Sequence, residues 1–150
     1  MGYRERLVPG PGTIAACLLL LPAVLLVLLP FSTAGGVTAA VVLTAATIAG
    51  LVLRAPVVAI EDGMLRAGRA RIDVHLTGDA EALHGEEART ARGTGLDARA
   101  WTVLRPWVDG VVRVPLLDPA DPAPYWLVAS RRPEELATAL ARAREAAASA

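Results

Sequence analysis

The sequence predicts an α+β protein: an N-terminal transmembrane helical hairpin, then a small antiparallel β-rich domain closed by a C-terminal α-helix. Three observations carry this. No charged residue stands between Arg6 and Arg54. Past Arg54, short β-like runs alternate with Gly- and Pro-marked turns. The chain then finishes on PEELATAL and an Ala- and Arg-rich tail with apolar residues at helical spacing. The hydrophobic share of 54% and mean hydropathy of +0.45 are high for a soluble domain, and the excess lies in the first third. Residues 1–12 therefore read as a cytoplasmic N-terminal segment, 13–54 as the hairpin and 55–150 as a cytoplasmic β-rich domain.

The first span covers residues 13–31, TIAACLLLLPAVLLVLLPF, close to the roughly 20 apolar residues that cross hydrocarbon as a helix. Pro22 is tolerated there, because local adjustment in lipid re-satisfies the freed carbonyl, and a kink is expected between Leu18 and Pro22. The second span, 37–53, carries small residues four apart: Gly36 with Ala40, Ala45 with Ala49, Ala46 with Gly50. That spacing lets a neighbouring helix approach closely. A cleaved signal peptide ending near Ser32-Thr33-Ala34 is the rival, but its apolar core would exceed the usual 7–15 residues or so, and a second span follows at once. Arg4, Arg6 and Arg54 flank one side of the hairpin and its tip is uncharged, which places both termini in the cytoplasm of an inner (plasma) membrane protein.

In the β-rich region, Val57–Ile60 and Met64–Arg66 form a hairpin across Asp62-Gly63, a pair suited to positive φ. Arg71–Leu76 alternates as a half-buried strand. A short strand follows near Ala80–Leu83, and Glu86–Arg92 suits two helical turns. Apolar runs at Ala100–Leu104, Val111–Leu117 and Tyr125–Ala129 are further strands. The prolines of Asp118–Pro124 enforce a loop, and Pro115 points to an edge strand or bulge. Pro133 begins the closing helix, 133–147. Glu134 and Glu135 suit its first turn, and Leu136, Leu140, Ala143 and Ala147 make its apolar stripe.

This element order resembles bacterial pleckstrin-homology-like domains. The segments YRERL, LRAGRARI, GLDARA, RPWVDG and VRVPLLDPADPAPYWLVASRRPEELATAL, with the two spans, resemble a family of small actinobacterial membrane proteins classed as a domain of unknown function. The resemblance covers nearly the whole chain, with Asp118–Leu140 its most specific part, and implies the architecture without an activity.

The composition narrows the function. From Ala55 onward, 12 arginines face 14 acidic residues, so nucleic acid is not an expected partner. Cys17 is the only cysteine and sits in a span, and His75 and His84 share no ligand motif, so neither a disulfide, a metal nor a cofactor is expected. Gly93-Thr94-Gly95-Leu96-Asp97-Ala98 matches a relaxed dinucleotide pattern without the βαβ context that pattern needs. Arg66, Arg69 and Arg71 cluster after the first hairpin turn, where the pleckstrin-homology resemblance implies contact with phosphorylated lipid heads. Arg131, Arg132 and Trp107 complete the candidate binding residues, while Trp101 and Trp126 are assigned to the core. The expected function is a non-enzymatic, membrane-anchored interaction module, its partners the lipid bilayer and either a protein or anionic lipid headgroups. The alternative is a membrane enzyme drawing acid/base groups from Asp97, Asp109, Asp118 and Asp121.

Overall fold

The structure, a computed structural model, describes residues 2–149. It divides into two compact units, one of residues 8–55 and one of residues 2–7 together with 56–149.

The first unit contains α1 (Pro11–Leu18), α2 (Leu20–Leu28) and α3 (Thr33–Leu53). Pro22 lacks the N–H that would bond the Leu18 carbonyl, and the helix is interrupted at Leu19, inside the interval where a kink is expected. The stretch Pro11–Leu28, with 18 residues, and α3, with 21, are each long and apolar enough to cross a membrane. Ser32 caps α3 by accepting the Gly35 N–H at 3.1 Å. Gly36, Ala40 and Thr44, four residues apart, are the buried positions of α3, which packs on α2. The Ala45–Ala49 and Ala46–Gly50 spacings take no part in that contact face, for Ala45, Ala46 and Ala49 are exposed. Large apolar side chains point outward, with Leu26 78% and Phe31 86% exposed.

The second unit is built from two four-stranded sheets. The first has the order β1 (Tyr3–Arg6), β2 (Val57–Glu61), β3 (Met64–Ala67), β4 (Ala70–Asp73), antiparallel throughout. Its first strand comes from the segment that the sequence assigned to a separate N-terminal stretch, so the apolar helices α1–α3 lie within the β1–β2 connection. The Leu7 N–H donates to the Pro56 carbonyl at 3.0 Å, continuing the ladder to the point where the chain leaves and returns. At the other end of β2, Asp62 (φ 53°) and Gly63 (φ 70°) make the tight turn with both residues left-handed, as expected. The expected strand Arg71–Leu76 stops at Asp73. Its side chain accepts the His75 N–H at 3.2 Å and starts a single 3-10 turn, Val74–Leu76.

The second sheet has the order β5 (Glu81–Leu83), β7 (Val111–Pro115), β8 (Tyr125–Ala129), β6 (Trp101–Val103). It is mixed rather than purely antiparallel, since β6 runs parallel to β8. Pro115 does not make β7 an edge. Ser130 and Leu116 N–H groups bond the carbonyls of Gly110 and Pro124. Hydrogen-bonded pairs alternate in an antiparallel ladder, so Pro115 falls at a pair where β8 needs no N–H, and the β5 ladder has already ended at Arg113.

Inner side chains of both sheets share one core: Val58, Leu65 and Ile72 from the first, Val112, Val114, Trp126 and Val128 from the second. The C-terminal helix α5 (Pro133–Ala148) closes it with Leu136 and Leu140. The predicted stripe continues only to half-buried Ala143, because Ala147 is exposed. A short helix, α4 (Gly85–Arg92), covers the opposite face of the second sheet, where Leu83, Ala88, Ala91, Val111 and Leu127 form a second cluster. Trp126 is buried as expected. Trp101 is not: at the start of edge strand β6 it is 41% exposed, because no element covers that end of the strand.

Candidate functional site

The outer face of the first sheet gathers arginine. Arg4 pairs with Ala59, Ala59 with Arg66, and Arg66 with Arg71, so one row crosses all four strands with three guanidinium-bearing residues on it. All three arginines are exposed. The alternation of Tyr3, Glu5, Leu65, Ala67 and Ile72 toward the interior sends them outward. Ala59 contributes only a methyl between Arg4 and Arg66, and beside it Glu61, Asp62, Met64, Arg66 and Arg71 line a shallow depression of about 220 Å³. Arg66 and Arg71 stand directly opposite each other, a like-charge arrangement that costs stability in a sheet. The Arg66 Nε–H donates to the Gly68 carbonyl at 3.3 Å, and Arg69 stands exposed in the adjacent two-residue turn.

Acidic groups border this face at one end. Glu61, Met64 and Asp73 form the outer row beside the Asp62-Gly63 turn. Arg4 reaches Glu61 at 3.6 Å, an exposed pair of small energetic weight. Hydrogen bonds from the His75 ring and backbone hold the Asp73 carboxyl below its usual range.

Arg131 and Arg132 are not part of that face. They lie between β8 and α5, and the Arg132 guanidinium sits 5.7 Å from the centroid of the Tyr3 ring, which is on the inward side of β1. Arg132 also bonds Glu135 at 2.9 Å. Trp107 lies off the arginine row, half-buried against the core at the Leu7 end of the first sheet, with its indole N–H donating to the Leu7 carbonyl at 3.2 Å. The structure thus brings Arg66 and Arg71 together, with Arg69 at the neighbouring turn and Trp107 at the Leu7 end of the same sheet, and separates Arg131 and Arg132 from them.

Sequence reading missed a buried polar cluster. Glu5 is 7% exposed, and its carboxyl oxygens accept from the Tyr3 hydroxyl (2.8 Å), the Ser130 hydroxyl (2.6 Å) and the Arg131 N–H (2.9 Å). Ser130 also accepts the Arg132 N–H at 3.0 Å. Burial pushes the Tyr3 phenol up to about 12, with the Glu5 contact reinforcing the shift and Ser130 opposing it. Backbone packing is tight here, for a Cβ on Gly110 would stand 2.7 Å from the Ser130 carbonyl oxygen. With Ser130 fully buried, the cluster fastens β1 to the β8–α5 junction. The signal for it was the inward period-two placement of Tyr3 and Glu5 in YRER.

The four candidate aspartates do not converge. Asp97 is paired with Arg99, whose hydrogen bonds hold its carboxyl below the usual range. Asp118 and Asp121 accept the Ala120 and Ala123 N–H groups, each at 2.9 Å, and shape the proline-rich loop. The Asp109 carbonyl accepts from Arg92, which also bonds the carbonyl of Val108 at 2.6 Å. His84 pairs with Glu134, whose carboxyl is lowered first by its own backbone N–H at the helix start and then by that histidine. No cluster of His, Cys, Asp or Glu suited to a metal occurs among the described residues.

No curated protein and no solved structure matches the chain significantly. A family model described as a protein of unknown function matches residues 2–140, from the start of β1 through the buried Leu140 of α5, and the chain therefore belongs to that family, DUF3093.

Proposed function

We propose that the protein is a membrane-anchored interaction module: a two-span hairpin in the inner membrane holds a cytoplasmic, pleckstrin-homology-like β unit that binds an anionic partner through the arginine row of its first sheet. The single observation that carries the binding reading is that row, Arg4, Arg66 and Arg71 crossing the sheet on an open face. Each arginine near an anionic surface contributes about 1 kcal/mol. Two sheets closed by a C-terminal helix support the pleckstrin-homology-like reading, with the parallel strand β6 a departure from an all-antiparallel barrel.

Membrane anchorage is supported by the outward apolar side chains of α2 and α3, which water would leave unsatisfied as a large exposed patch. Strand pairing adds a topological constraint. Because β1 and β2 are hydrogen-bonded neighbours, the chain must return to the side it left, which two crossings achieve. Cleavage after Ala34 would sever β1 from its partner, so the signal-peptide alternative sacrifices a core strand. Cytoplasmic placement follows from the flanking arginines.

The test uses the full chain in neutral detergent, titrated separately with short-chain phosphatidylglycerol and with polyglutamate while unfolding of the β unit is followed. Saturable, salt-sensitive stabilisation by at least one anion, abolished in Arg66→Ala/Arg71→Ala, is the expected result. Absence of both responses refutes the reading. A reporter active only outside the membrane, fused to the C-terminus, is expected to stay silent.

A further inference from the structure

The open face of the first sheet is polarised along its strands, and chain connectivity says which end is tethered. The chain leaves the sheet at Leu7 and re-enters at Pro56, and these residues are hydrogen-bonded to each other. Only residues 8–10 separate Leu7 from α1, and only residues 54 and 55 separate α3 from Pro56. Three residues extend at most about 10 Å. Each headgroup layer of a bilayer is itself roughly 5–8 Å thick. If the helices span, the Leu7–Pro56 end of the sheet is held at or beside the headgroups.

What stands at that end is basic and aromatic. The Gly68-Arg69 turn abuts it, since the Gly68 N–H bonds the Val57 carbonyl at 3.0 Å and a Cβ on Gly68 would lie 3.8 Å from Pro56. Trp107 is fixed there by its bond to Leu7. Its ring is half-buried, and an amphipathic indole suits headgroup depth. One pair inward is Arg6 with Val57, and two pairs further is the row of Arg4, Arg66 and Arg71. The acids come last: Glu61 and Asp73, with Asp62 in the turn beyond. At about 3.4 Å per residue the arginine row lies roughly 10 Å, and the acidic row roughly 17 Å, from Leu7–Pro56. Screening at physiological ionic strength acts over about 8 Å, so the surface is felt most at Arg69, more weakly at the arginine row and least at the acids. The composition of this face looks nearly balanced, but its geometry does not.

We propose that this end of the β unit is a contact surface for anionic lipid headgroups of the chain's own bilayer, with Arg69 and Trp107 at the headgroups, the Arg4–Arg66–Arg71 row behind them, and the Glu61–Asp73 end directed away. This rests on the membrane-anchored reading and names the partner of its arginine face.

The test places the full chain in nanodiscs of phosphatidylcholine, alone or with phosphatidylglycerol, containing lipids with a quencher on the headgroup. In a Cys17→Ala background, a fluorophore is attached at Pro106→Cys, exposed beside Trp107, or at His75→Cys, exposed beyond the acidic row. Quenching is expected to be strong at position 106 and to rise with phosphatidylglycerol at low salt, with little quenching at position 75. Arg69→Ala is expected to lose the larger part of the phosphatidylglycerol response, and the charge-conserving transposition Arg71→Asp/Asp73→Arg, checked for native near-ultraviolet dichroism, a smaller part. Equal quenching at the two positions, or a response indifferent to phosphatidylglycerol, overturns the proposal. If polyglutamate still stabilises the detergent-solubilised chain in that case, the arginine face serves an acidic protein segment and only the lipid assignment falls. If neither anion acts, the binding reading falls with it.

Discussion

In the sheet β5-β7-β8-β6 the central strands are covered on both faces, by the shared core on one side and α4 on the other, so β8 buries Trp126, Leu127, Val128 and Ala129 in succession. In the sheet β1-β2-β3-β4 the strands β1, β3 and β4 alternate, with Tyr3, Leu65 and Ile72 inward and Arg4, Arg66 and Arg71 outward, while β2 buries Val58, Ala59 and Ile60. One sheet spends its side chains on the core. The other keeps exposed arginines on its outer face and tolerates opposed like charges there, which a sheet selected for stability alone would avoid. The difference separates where this unit is held together from where it is free to bind.

The sharpest way to break that comparison is to remove β1, which contributes both to the core and to the arginine row. Residues 56–149 alone lack Tyr3, Glu5 and fully buried Leu7. Burying a large apolar side chain contributes about 1.5–3 kcal/mol, so losing two of them removes about 3–6 kcal/mol, comparable to the low end of the roughly 5–15 kcal/mol stability of a typical domain. That fragment is expected to give a collapsed amide spectrum by NMR. Joining Leu7 to Pro56 through an Asn-Gly turn in place of residues 8–55 is expected to restore dispersion, because the two strands already meet as a hairpin. A dispersed spectrum for the fragment without β1 would show that the strand is dispensable.

Next in size, Leu127→Ala on the doubly covered sheet, or Leu140→Ala in the closing helix, should cost about 2–5 kcal/mol in denaturant titration, since both side chains are fully buried. A cost below about 1 kcal/mol at both positions would mean that core and surface sheets do not differ as described.

The junction cluster gives a pH signature. The Tyr3 phenol lies near 12 when folded against 10.0 when free, so folding favours its neutral form. That contribution is complete below pH 10 and is lost as the pH rises toward 12, amounting to about 2–3 kcal/mol. Unfolding measured across that window should show the decline in the native chain and a shallower one in Tyr3→Phe. Parallel curves would place the phenol outside the buried cluster.

The smallest effect belongs to the open face. Arg66→Ala or Arg71→Ala should change stability by no more than about 0.5 kcal/mol, in the stabilising direction, because each relieves a like-charge pair. A large loss from either would make the row structural and remove the reason to read it as a binding surface.

Much of this was legible in the chain. The uncharged stretch between Arg6 and Arg54 marks the helices, Pro22 the interruption at Leu19, Asp62-Gly63 the hairpin, and Pro133 with Leu136 and Leu140 the closing helix. Local chemistry determines each of these. Pairing between distant segments was not legible. YRER is too short for its alternation to outweigh its neighbourhood beside a span, so its arginines were read only as charges flanking a membrane helix. Arg66 and Arg71 were found through sequence proximity, but Arg4 joins them through a ladder that skips the whole hairpin. Pro115 misled for a related reason: whether a proline disrupts a strand depends on which ladder its nitrogen faces, and that is set by register.

The split origin of the first sheet also orders events during synthesis. The ribosome completes β1 first and then makes the 48 residues 8–55 before β2 can emerge, a wait of several seconds at about 5–20 residues per second. Throughout that interval Tyr3 and Leu7 have no partner. β1 can pair with β2 only after the apolar helical segment has been made, and on the membrane-anchored reading an odd number of crossings would leave the two strands on opposite sides. On that reading a chain with an odd number of crossings cannot build its first sheet, and its incompletely folded C-terminal segment would be open to proteolysis.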